Sequence, residues 1–340
     1  MSRVANLPSI SVIIPTLNAA RVLEESLFSI TSQDYPQDKV EIIIADAGST
    51  DETVEIAKKF GAYVVSNPRK TGEAGKAEAL KAAKNEIIAL IDSDNILPQT
   101  DWFRRMVEPF SEPEIIGSEP IKYTWRKKDS YITRYSALMG MNDPLCMFLG
   151  NYDRYNFITK KWTGLPVEVE DKGNYLKIKL NQVIFPTMGA NGFLVRKSEL
   201  LKYFAGHYLF DIDIIYDLVK DPHARFAKVK IGIVHLFCQD TKTFLKKQLR
   251  RIRDYQYFSK EGLRKYPWHA LSKFGLLKFI FYCLLVFPLF GQALIGFLRF
   301  PDPAWLFHPL ACEVTFLTYS FGKIEGLIKT REQSREGWKQ

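Results

Sequence analysis

The sequence has few cysteines, and they lack the paired spacing that gives cysteines a structural role. Its 340 residues contain 4 of them, so we expect neither a disulfide framework nor a zinc site. Met1 to Pro8 is short and mostly polar, and we expect no secretory signal peptide there. A chain of this length can bury a large core and form one or two domains. The cysteines are Cys146, Cys238, Cys283 and Cys312.

The chain also has fewer acidic than basic residues. The chain has 38 Asp and Glu against 47 Lys and Arg, which gives a net charge of +9. Such an excess favours anionic partners, namely nucleotides, lipid phosphates, a membrane surface or nucleic acid. No zinc finger or other nucleic-acid-binding motif is recognisable, and the basic residues concentrate late in the chain. We therefore expect a phosphate and a membrane as partners, and no nucleic acid.

The first hundred residues alternate between strand-like apolar runs and segments with helical spacing. This alternation predicts a parallel, doubly wound sheet, in which ligands bind at the carboxyl ends of the strands. The predicted strands are Ile10–Ile14, Val40–Ala45, Ala62–Val65 and Glu86–Ile91. The predicted helices are Val22–Thr31, a helix from Thr50 or Asp51 through Lys59, and Gly75–Ala83.

The most informative strand end is Asp92-Ser93-Asp94, directly after the last of these strands. Two carboxylates two residues apart suit a hard cation, and Mg²⁺ or Mn²⁺ is usually held by one or two carboxylates plus substrate phosphates. A phosphorylated substrate, a nucleotide in particular, is thus the first hypothesis. The alternative is an ordinary strand end in which Asp94 caps a helix near Pro98.

Later segments carry further elements. We predict a hairpin over Val167–Leu180, a glycine-rich turn before a strand at Phe193–Arg196, a helix from Asp211 through Val219, a strand at Ala227–Leu236 and a basic amphipathic helix at Thr241–Phe258.

The C-terminal part is strongly apolar. Phe279–Leu298 is a run of 20 uncharged residues, long enough for a helix to cross a hydrocarbon core of ~30 Å, with a possible kink at Pro288. Ala304–Gly322, interrupted by Glu313, is expected to return as the second helix of a transmembrane hairpin. Alternatively, it lies in the interface, or both segments form a core hairpin. Basic residues at both outer ends place those ends in the cytoplasm.

The ordered motifs resemble those of family 2 glycosyltransferases, which have the nucleotide-sugar-binding A-type fold. They are most similar to the membrane-attached branch of dolichyl-phosphate mannosyltransferases and cellulose synthases. The resemblance covers roughly Ser9 to Tyr255. It implies an α/β fold, a doubly wound mixed sheet, followed here by a C-terminal transmembrane helical hairpin.

The resemblance also implies a binding site for a nucleoside diphosphate sugar. Asp46 would accept a hydrogen bond from the base, Lys76 could reach the donor phosphate, and Asp94 would bind a Mn²⁺ or Mg²⁺ ion bridging the diphosphate. The implied donor-binding residues are Pro15, Thr16, Asn18, Asp46, Ser49, Lys76, Asp92, Ser93, Asp94, Gln248 and Arg251. The implied metal ligands are Asp94, Asp92 and His235.

Phe210-Asp211-Ile212-Asp213 resembles the family's Glu-Asp-x-Asp helix start, which supplies the catalytic base, although Phe210 replaces the Glu. Asp211 would take the proton from an acceptor hydroxyl that attacks the anomeric carbon and inverts it. Asp213 is the fallback, and both acids could instead stabilise the helix start. Gly189 and Asn191 lie in a turn similar to the one beneath the acceptor. An acceptor that is a lipid phosphate would need no base.

We therefore expect a membrane-attached, inverting, metal-dependent glycosyltransferase with a lipid-linked acceptor, a cytoplasmic catalytic domain and GDP-mannose or a UDP-sugar as donor. The alternatives are a processive polysaccharide synthase and a non-catalytic nucleotide-sugar-binding membrane protein. The expected divisions are 1–118 (nucleotide-sugar half), 119–240 (acceptor and base half), 241–271 (basic interface helix), 272–328 (membrane hairpin) and 329–340 (cytoplasmic tail).

Overall fold

The computed structural model describes residues 7–204, 206–268, 272–328 and 332–334. The opening residues and nearly all of the predicted tail at 329–340 therefore lie outside the described residues. The strands are β1 (Ile10–Thr16), β2 (Val40–Asp46), β3 (Tyr63–Ser66), β4 (Ile87–Leu90), β5 (Asn95–Ile96), β6 (Ile115–Thr124), β7 (Glu168–Asp171), β8 (Tyr175–Lys179), β9 (Phe193–Arg196) and β10 (Arg225–His235). The helices are α1 (Ala20–Thr31), α2 (Thr53–Lys59), α3 (Gly72–Ala82), α4 (Trp102–Val107), α5 (Tyr131–Met139), α6 (Leu145–Leu149), α7 (Lys197–Tyr203), α8 (Asp211–Leu218), α9 (Thr241–Lys260), α10 (Lys273–Leu285), α11 (Phe287–Arg299) and α12 (His308–Ile328).

The chain divides into two compact units. The first extends to Ile121 and resumes over Val167–Val234, and the second comprises Lys122–Pro166 and His235–Ser334. The sequence-based division kept residues 119–240 together, whereas in the structure 122–166 group with the later helices.

In the first unit the described strands form one ten-stranded sheet in the order β3-β2-β1-β4-β9-β6-β10-β8-β7, with β5 paired to β10. Strand β1 runs parallel to β2 and β4, with Thr16 opposite Asp46 and Ile13 opposite Leu90. Strand β9 is antiparallel to both of its neighbours, which confirms the mixed sheet. The carboxyl ends of β1, β2 and β4 therefore lie at one edge, as the alternating pattern predicted.

Helix α3 begins earlier than predicted. It starts at Gly72, and the side chain of Thr71 caps it by accepting a hydrogen bond from the Ala74 amide at 3.2 Å. A threonine hydroxyl satisfies a first-turn N–H that has no partner within the helix. The prediction that the helix opens at Gly75 is therefore wrong, and Lys76 lies inside the helix.

The second unit is helical around a buried aromatic cluster that includes Tyr135, Phe244, Trp305 and Phe307. Its basic helix, α9, runs along α12, where the Arg253 guanidinium donates to both carboxylate oxygens of Glu325 at 2.6 and 2.9 Å. A glycine on α12, Gly322, faces Ile252 of α9 so closely that a Cβ there would collide with it. One side of the basic helix is therefore covered by protein.

The first predicted membrane span is interrupted. Helix α10 ends and α11 begins at Val286, and the two are bent by 101°. Pro288 has no N–H to donate to Leu284, and its ring clashes with that carbonyl in a continuous helix. The prediction of one helix over Phe279–Leu298 is therefore wrong. By length and composition, none of the described helices alone passes for a membrane span, and α10 with α11 passes only as a bent pair.

Candidate active site

The carboxyl ends of β1 and β2 are joined by the side chain of Asp46. Its Oδ1 accepts hydrogen bonds from Thr16 Oγ1 (2.9 Å) and Ser49 Oγ (2.6 Å). Its Oδ2 accepts from the backbone N–H groups of Gly48 (2.9 Å) and Ser49 (2.8 Å). The Asn18 N–H donates to Ser49 Oγ at 2.8 Å, which ties the two strand ends together once more. Asp46 thus organises this loop, and its contact with a base stays a prediction.

Asp92, Ser93 and Asp94 form the turn between β4 and β5. The side chain of Asn95 holds this turn, because its Oδ1 accepts the Asp92 N–H at 3.0 Å. Asp94 is 4% exposed, whereas the side chain of Asp92 is 29% exposed. The next helix begins only at Trp102, so the alternative in which Asp94 caps a helix is excluded.

Lys76 connects the two predicted carboxylate groups. Its Nζ lies 3.2 Å from Asp92 Oδ1 and 2.6 Å from Asp211 Oδ2. The second oxygen of Asp211, Oδ1, is buried and has no hydrogen-bond partner among the described residues. The structure thus shows an ammonium group between Asp92 and Asp211, while the predicted contact of Lys76 with a donor phosphate stays a prediction.

The same contacts shift the titration of this cluster. Burial raises the pKa of Asp211 to about 7, and the negative charge of Asp92 adds to this rise, while the Lys76 ammonium opposes it. Burial alone would lower the pKa of Lys76, but the carboxylates of Asp211 and Asp92 hold that pKa above its usual range. A carboxyl that titrates near neutral pH is well matched to work as a general base there.

The carboxylates fit a hard divalent cation that a substrate helps to hold. Among the described residues, no group of three or more His, Cys, Asp or Glu side chains could hold a metal ion. Sites for Mg²⁺ on phosphate substrates typically use only one or two carboxylates and take the other ligands from phosphate and water. Asp94 and Asp92 supply that number, although one oxygen of Asp92 also contacts Lys76.

The glycine-rich turn before β9 packs against the candidate base. Gly189 has a φ of 123°, and a Cβ there would come within 2.7 Å of the Asp211 carbonyl oxygen. Asn191 has a φ of 54°, and its Oδ1 accepts a hydrogen bond from Asn95 Nδ2 at 3.0 Å. The fallback acid Asp213 is buried on α8. The predicted acceptor-side residues therefore lie beside Asp211 and beside the Asp92 turn.

His235, the proposed metal ligand, belongs to the second unit and has aromatic neighbours there. Its Nδ1 lies 3.2 Å from Asn142 Nδ2, and its ring centroid is 5.8 Å from that of Tyr123 and 5.5 Å from that of Phe237. Metal binding by His235 stays a prediction.

Gln248 and Arg251, the proposed diphosphate ligands, also lie in the second unit. Gln248 is fully buried, and its Nε2 donates to the Asn142 carbonyl (3.1 Å) and to Thr315 Oγ1 (3.3 Å). Its Oε1 accepts from Arg251 Nη1 at 2.5 Å. Within its unit, Gln248 thus orients Arg251, whose side chain is 37% exposed.

Sequence reasoning missed three residues that support the site. Asn95 directly follows the Asp92 motif and bonds to both Asp92 and Asn191. Glu119 and Lys228 are fully buried on β6 and β10. The signal that could have revealed them is a charged residue flanked on both sides by buried positions within each strand.

Comparison with known proteins supports this fold and motif order. Residues 11–166 match the family model described as glycosyl transferase family 2. This segment is therefore similar to glycosyltransferase family 2.

Two curated relatives differ in how much of this chain they match. Glycosyltransferase AglE of Haloferax volcanii is 30% identical over 145 residues, which cover 40% of this chain and 47% of AglE. The chain thus spans about half the length of that relative. The dolichyl N-acetyl-alpha-D-glucosaminyl phosphate 3-beta-D-2,3-diacetamido-2,3-dideoxy-beta-D-glucuronosyltransferase of Methanococcus voltae is 26% identical over 345 residues, covering 94% of this chain and 97% of that protein.

A solved structure has the same fold. The mannosyltransferase PcManGT from Pyrobaculum calidifontis, in complex with GDP-Man and Mn²⁺, superposes with a TM-score of 0.54 at 17% identity. The likeness covers 94% of this chain and 89% of that one, and it concerns the fold alone.

Proposed function

We propose that this chain is an inverting, metal-dependent glycosyltransferase that moves a sugar from a nucleoside diphosphate donor to a lipid-linked acceptor. The observation that carries the proposal is the arrangement of Asp92, Asp94 and Asp211 at the carboxyl edge of the sheet, with Lys76 between Asp92 and Asp211. Charged groups of this kind are costly to bury unless they are paired.

In the proposed reaction, an acceptor hydroxyl oxygen attacks the anomeric carbon of the donor sugar. The bond from that carbon to the diphosphate oxygen breaks, and the nucleoside diphosphate leaves with the electron pair. Asp211 accepts the hydroxyl proton, and the attack from the opposite face inverts the anomeric centre. When bound, a divalent cation supplies Lewis acidity that neutralises charge on the leaving diphosphate. Asp94 and Asp92 would hold it.

A lipid-linked acceptor is supported by the relative from Methanococcus voltae, which matches over nearly the whole chain and whose name specifies a dolichyl phosphate-linked sugar as its acceptor. Such an acceptor presents a sugar hydroxyl, which needs a base. GDP-mannose remains our first choice of donor, followed by a UDP-sugar. The Pyrobaculum protein, similar in fold, was solved with GDP-Man.

We expect one nucleoside diphosphate sugar to raise the melting temperature of the purified protein when Mn²⁺ is present. A ligand at 100 times its Kd stabilises the folded state by about 2.7 kcal/mol, which corresponds to a shift of several degrees. The measurement is thermal unfolding with GDP-mannose and with UDP-glucose, each in Mn²⁺ and in EDTA.

The shift should disappear in EDTA, and release of nucleoside diphosphate should follow the same donor preference. If no nucleotide sugar shifts the melting temperature and none is turned over, the proposed activity is wrong. Free mannose and glucose serve as controls that should leave the melting temperature unchanged.

We also propose that the C-terminal helices attach the enzyme to a membrane. Of the 29 large apolar side chains that are exposed among the described residues, 21 lie between Phe274 and Ile328. Soluble monomers rarely expose an apolar surface of this extent. Lys273 directly precedes this stretch, and Lys278 and Arg299 lie within it; all three are exposed and suit anionic lipid headgroups. Attachment on the cytoplasmic side stays a prediction from the charge pattern.

The membrane proposal predicts co-flotation with vesicles that contain phosphatidylglycerol. The side chains of Phe287 and Leu298 are 85% and 74% exposed. Transfer of each from water into lipid would contribute about 1.5–3 kcal/mol to the free energy of membrane binding. The Phe287→Asp/Leu298→Asp variant should therefore bind these vesicles at least tenfold more weakly.

Phe28→Asp is the matched control, because Phe28 is also exposed but lies on α1 of the first unit. It should float like the unmodified protein. Equal flotation of all three proteins, or no flotation at all, would contradict attachment through this surface.

A further inference from the structure

A fully buried ion pair lies behind the candidate site. Lys228 Nζ is 2.6 Å from Glu119 Oε2, and both side chains are 0% exposed. Their strands, β10 and β6, are neighbours in the sheet. Desolvating two charges offsets much of their mutual attraction, so such a pair is weak support for stability alone. The presence of this pair at two fully buried positions therefore calls for another explanation.

The second oxygen of Glu119 is directed at the glycine-rich turn. Glu119 Oε1 accepts the Gly189 N–H at 3.0 Å. Since Lys228 holds the other oxygen, the carboxylate is fixed at both ends. Gly189 in turn packs against the backbone of Asp211, so closely that a Cβ would come within 2.7 Å of the Asp211 carbonyl oxygen. The ion pair therefore acts on the first residue of α8 through one hydrogen bond and one close contact.

The other end of the same turn is tied to the Asp92 motif. Asn95 Nδ2 donates to Asn191 Oδ1 at 3.0 Å, and Asn95 Oδ1 accepts the Asp92 N–H at 3.0 Å. The Gly192 N–H donates to the Leu90 carbonyl at 2.8 Å. One turn thus contacts Asp211 at its start and the Asp92 turn at its end.

We propose that Glu119, held by Lys228, is a positioning residue that fixes this turn and so the spacing between Asp211 and the Asp92–Asp94 pair. The inference rests on the proposed transfer reaction. A small change in that spacing would reduce the rate of the chemical step, because the base must lie within hydrogen-bond reach of the acceptor. Binding of the donor at the Asp46 loop would be unaffected.

Two double variants separate the hydrogen bond from the charges. Glu119→Gln/Lys228→Met removes both charges but keeps an oxygen that can accept the Gly189 N–H. Glu119→Met/Lys228→Met has similar volume and leaves that N–H without an acceptor. Neither double variant leaves one charge of this pair buried without the other. The exposed pair Glu24 and Lys59 provides the control, changed to Glu24→Gln/Lys59→Met.

The measurements are kcat and KM for donor hydrolysis, and hydrogen exchange of the amides in residues 189–192. We expect the surface control to keep kcat within about threefold of the unmodified protein. The Gln/Met variant keeps an acceptor for the Gly189 N–H but lacks Lys228, and it should lose less kcat than the Met/Met variant. The Met/Met variant should lose at least tenfold in kcat at unchanged donor KM, with faster exchange in the turn. Equal kcat and equal exchange in the two buried double variants would overturn the proposal.

The Glu119→Asp variant replaces the Met/Met variant in this test if the latter does not fold. It keeps the charge for Lys228 but withdraws the carboxylate from Gly189 by one methylene, so it should also lower kcat at unchanged donor KM. An unaltered kcat would overturn the proposal. If the unmodified protein turns over no donor, the proposed function fails, while the exchange difference at residues 189–192 still decides whether Glu119 holds the turn.

Discussion

Replacement of Asp94 by Ala is expected to lower donor turnover by roughly 100-fold or more, since loss of even an outer partner of a metal ligand typically costs 10–100-fold. Asp94 is buried on the turn between β4 and β5, and Lys76 already contacts one oxygen of its neighbour Asp92. We therefore propose that a cation on the diphosphate would depend most on Asp94. The measurement is release of nucleoside diphosphate across a titration of Mn²⁺.

Asp101→Asn is the control for this loss. Asp101 is an exposed acid just before α4, and its side chain makes no capping hydrogen bond there. It should retain normal turnover, and both variants should unfold at temperatures close to that of the unmodified protein. Turnover by Asp94→Ala that equals the unmodified rate at every Mn²⁺ concentration would remove the metal assignment, as would full activity in EDTA.

Replacement of Asp211 by Asn should lower transfer to a hydroxyl acceptor by about 10²–10⁴-fold, the usual contribution of a general base. The amide keeps the size of the side chain but cannot take the proton. Its Lys76 partner retains Asp92, 3.2 Å away, so one counter-charge remains. The measurement is kcat with the acceptor saturating.

The pH dependence of the unmodified enzyme tests the same residue. A base works only in its ionised form, and burial raises the pKa of Asp211 to about 7. The rate should therefore be low below pH 6, rise through pH 7 and level off above it. In Asp211→Asn this rise should be absent, because the group that titrates is gone.

Two results would contradict the assignment of Asp211. Full transfer by Asp211→Asn at every pH means that the base lies elsewhere or that the acceptor arrives already ionised, as a lipid phosphate does. A large loss in Asp213→Asn with normal transfer by Asp211→Asn would identify the fallback acid as the base.

Much of the first unit was predictable from sequence because its signals are local. The apolar runs of β1, β2 and β4 stand between polar turns, and parallel strands place their carboxyl ends at one edge. The sequence therefore predicts that the loop after β2 and the Asp92 turn lie at the same edge of the sheet, and the strand pairing agrees with this.

Other local signals were present but overlooked. Thr71 is a good N-cap, and it starts α3 before Gly75. From the sequence, Pro288 predicts only a kink within one continuous helix. In the structure it is the second residue of a new helix, α11, which follows Val286 with a φ of 61°. Apolar composition suggested one span because hydropathy alone carries no information about a break in the backbone.

The sequence by itself determined the alternation of strands and helices over the first hundred residues, the acidic turn after β4 and the acid that opens α8. Only the tertiary structure decided that Lys76 lies between Asp92 and Asp211, and that Glu119 contacts both Lys228 and the Gly189 N–H. These partners are far apart in the chain, so no spacing or periodicity relates them. Which charges come into contact depends on how helices and strands pack. Burial then strengthens their Coulomb interaction because water no longer screens it, although the cost of desolvation offsets much of that gain.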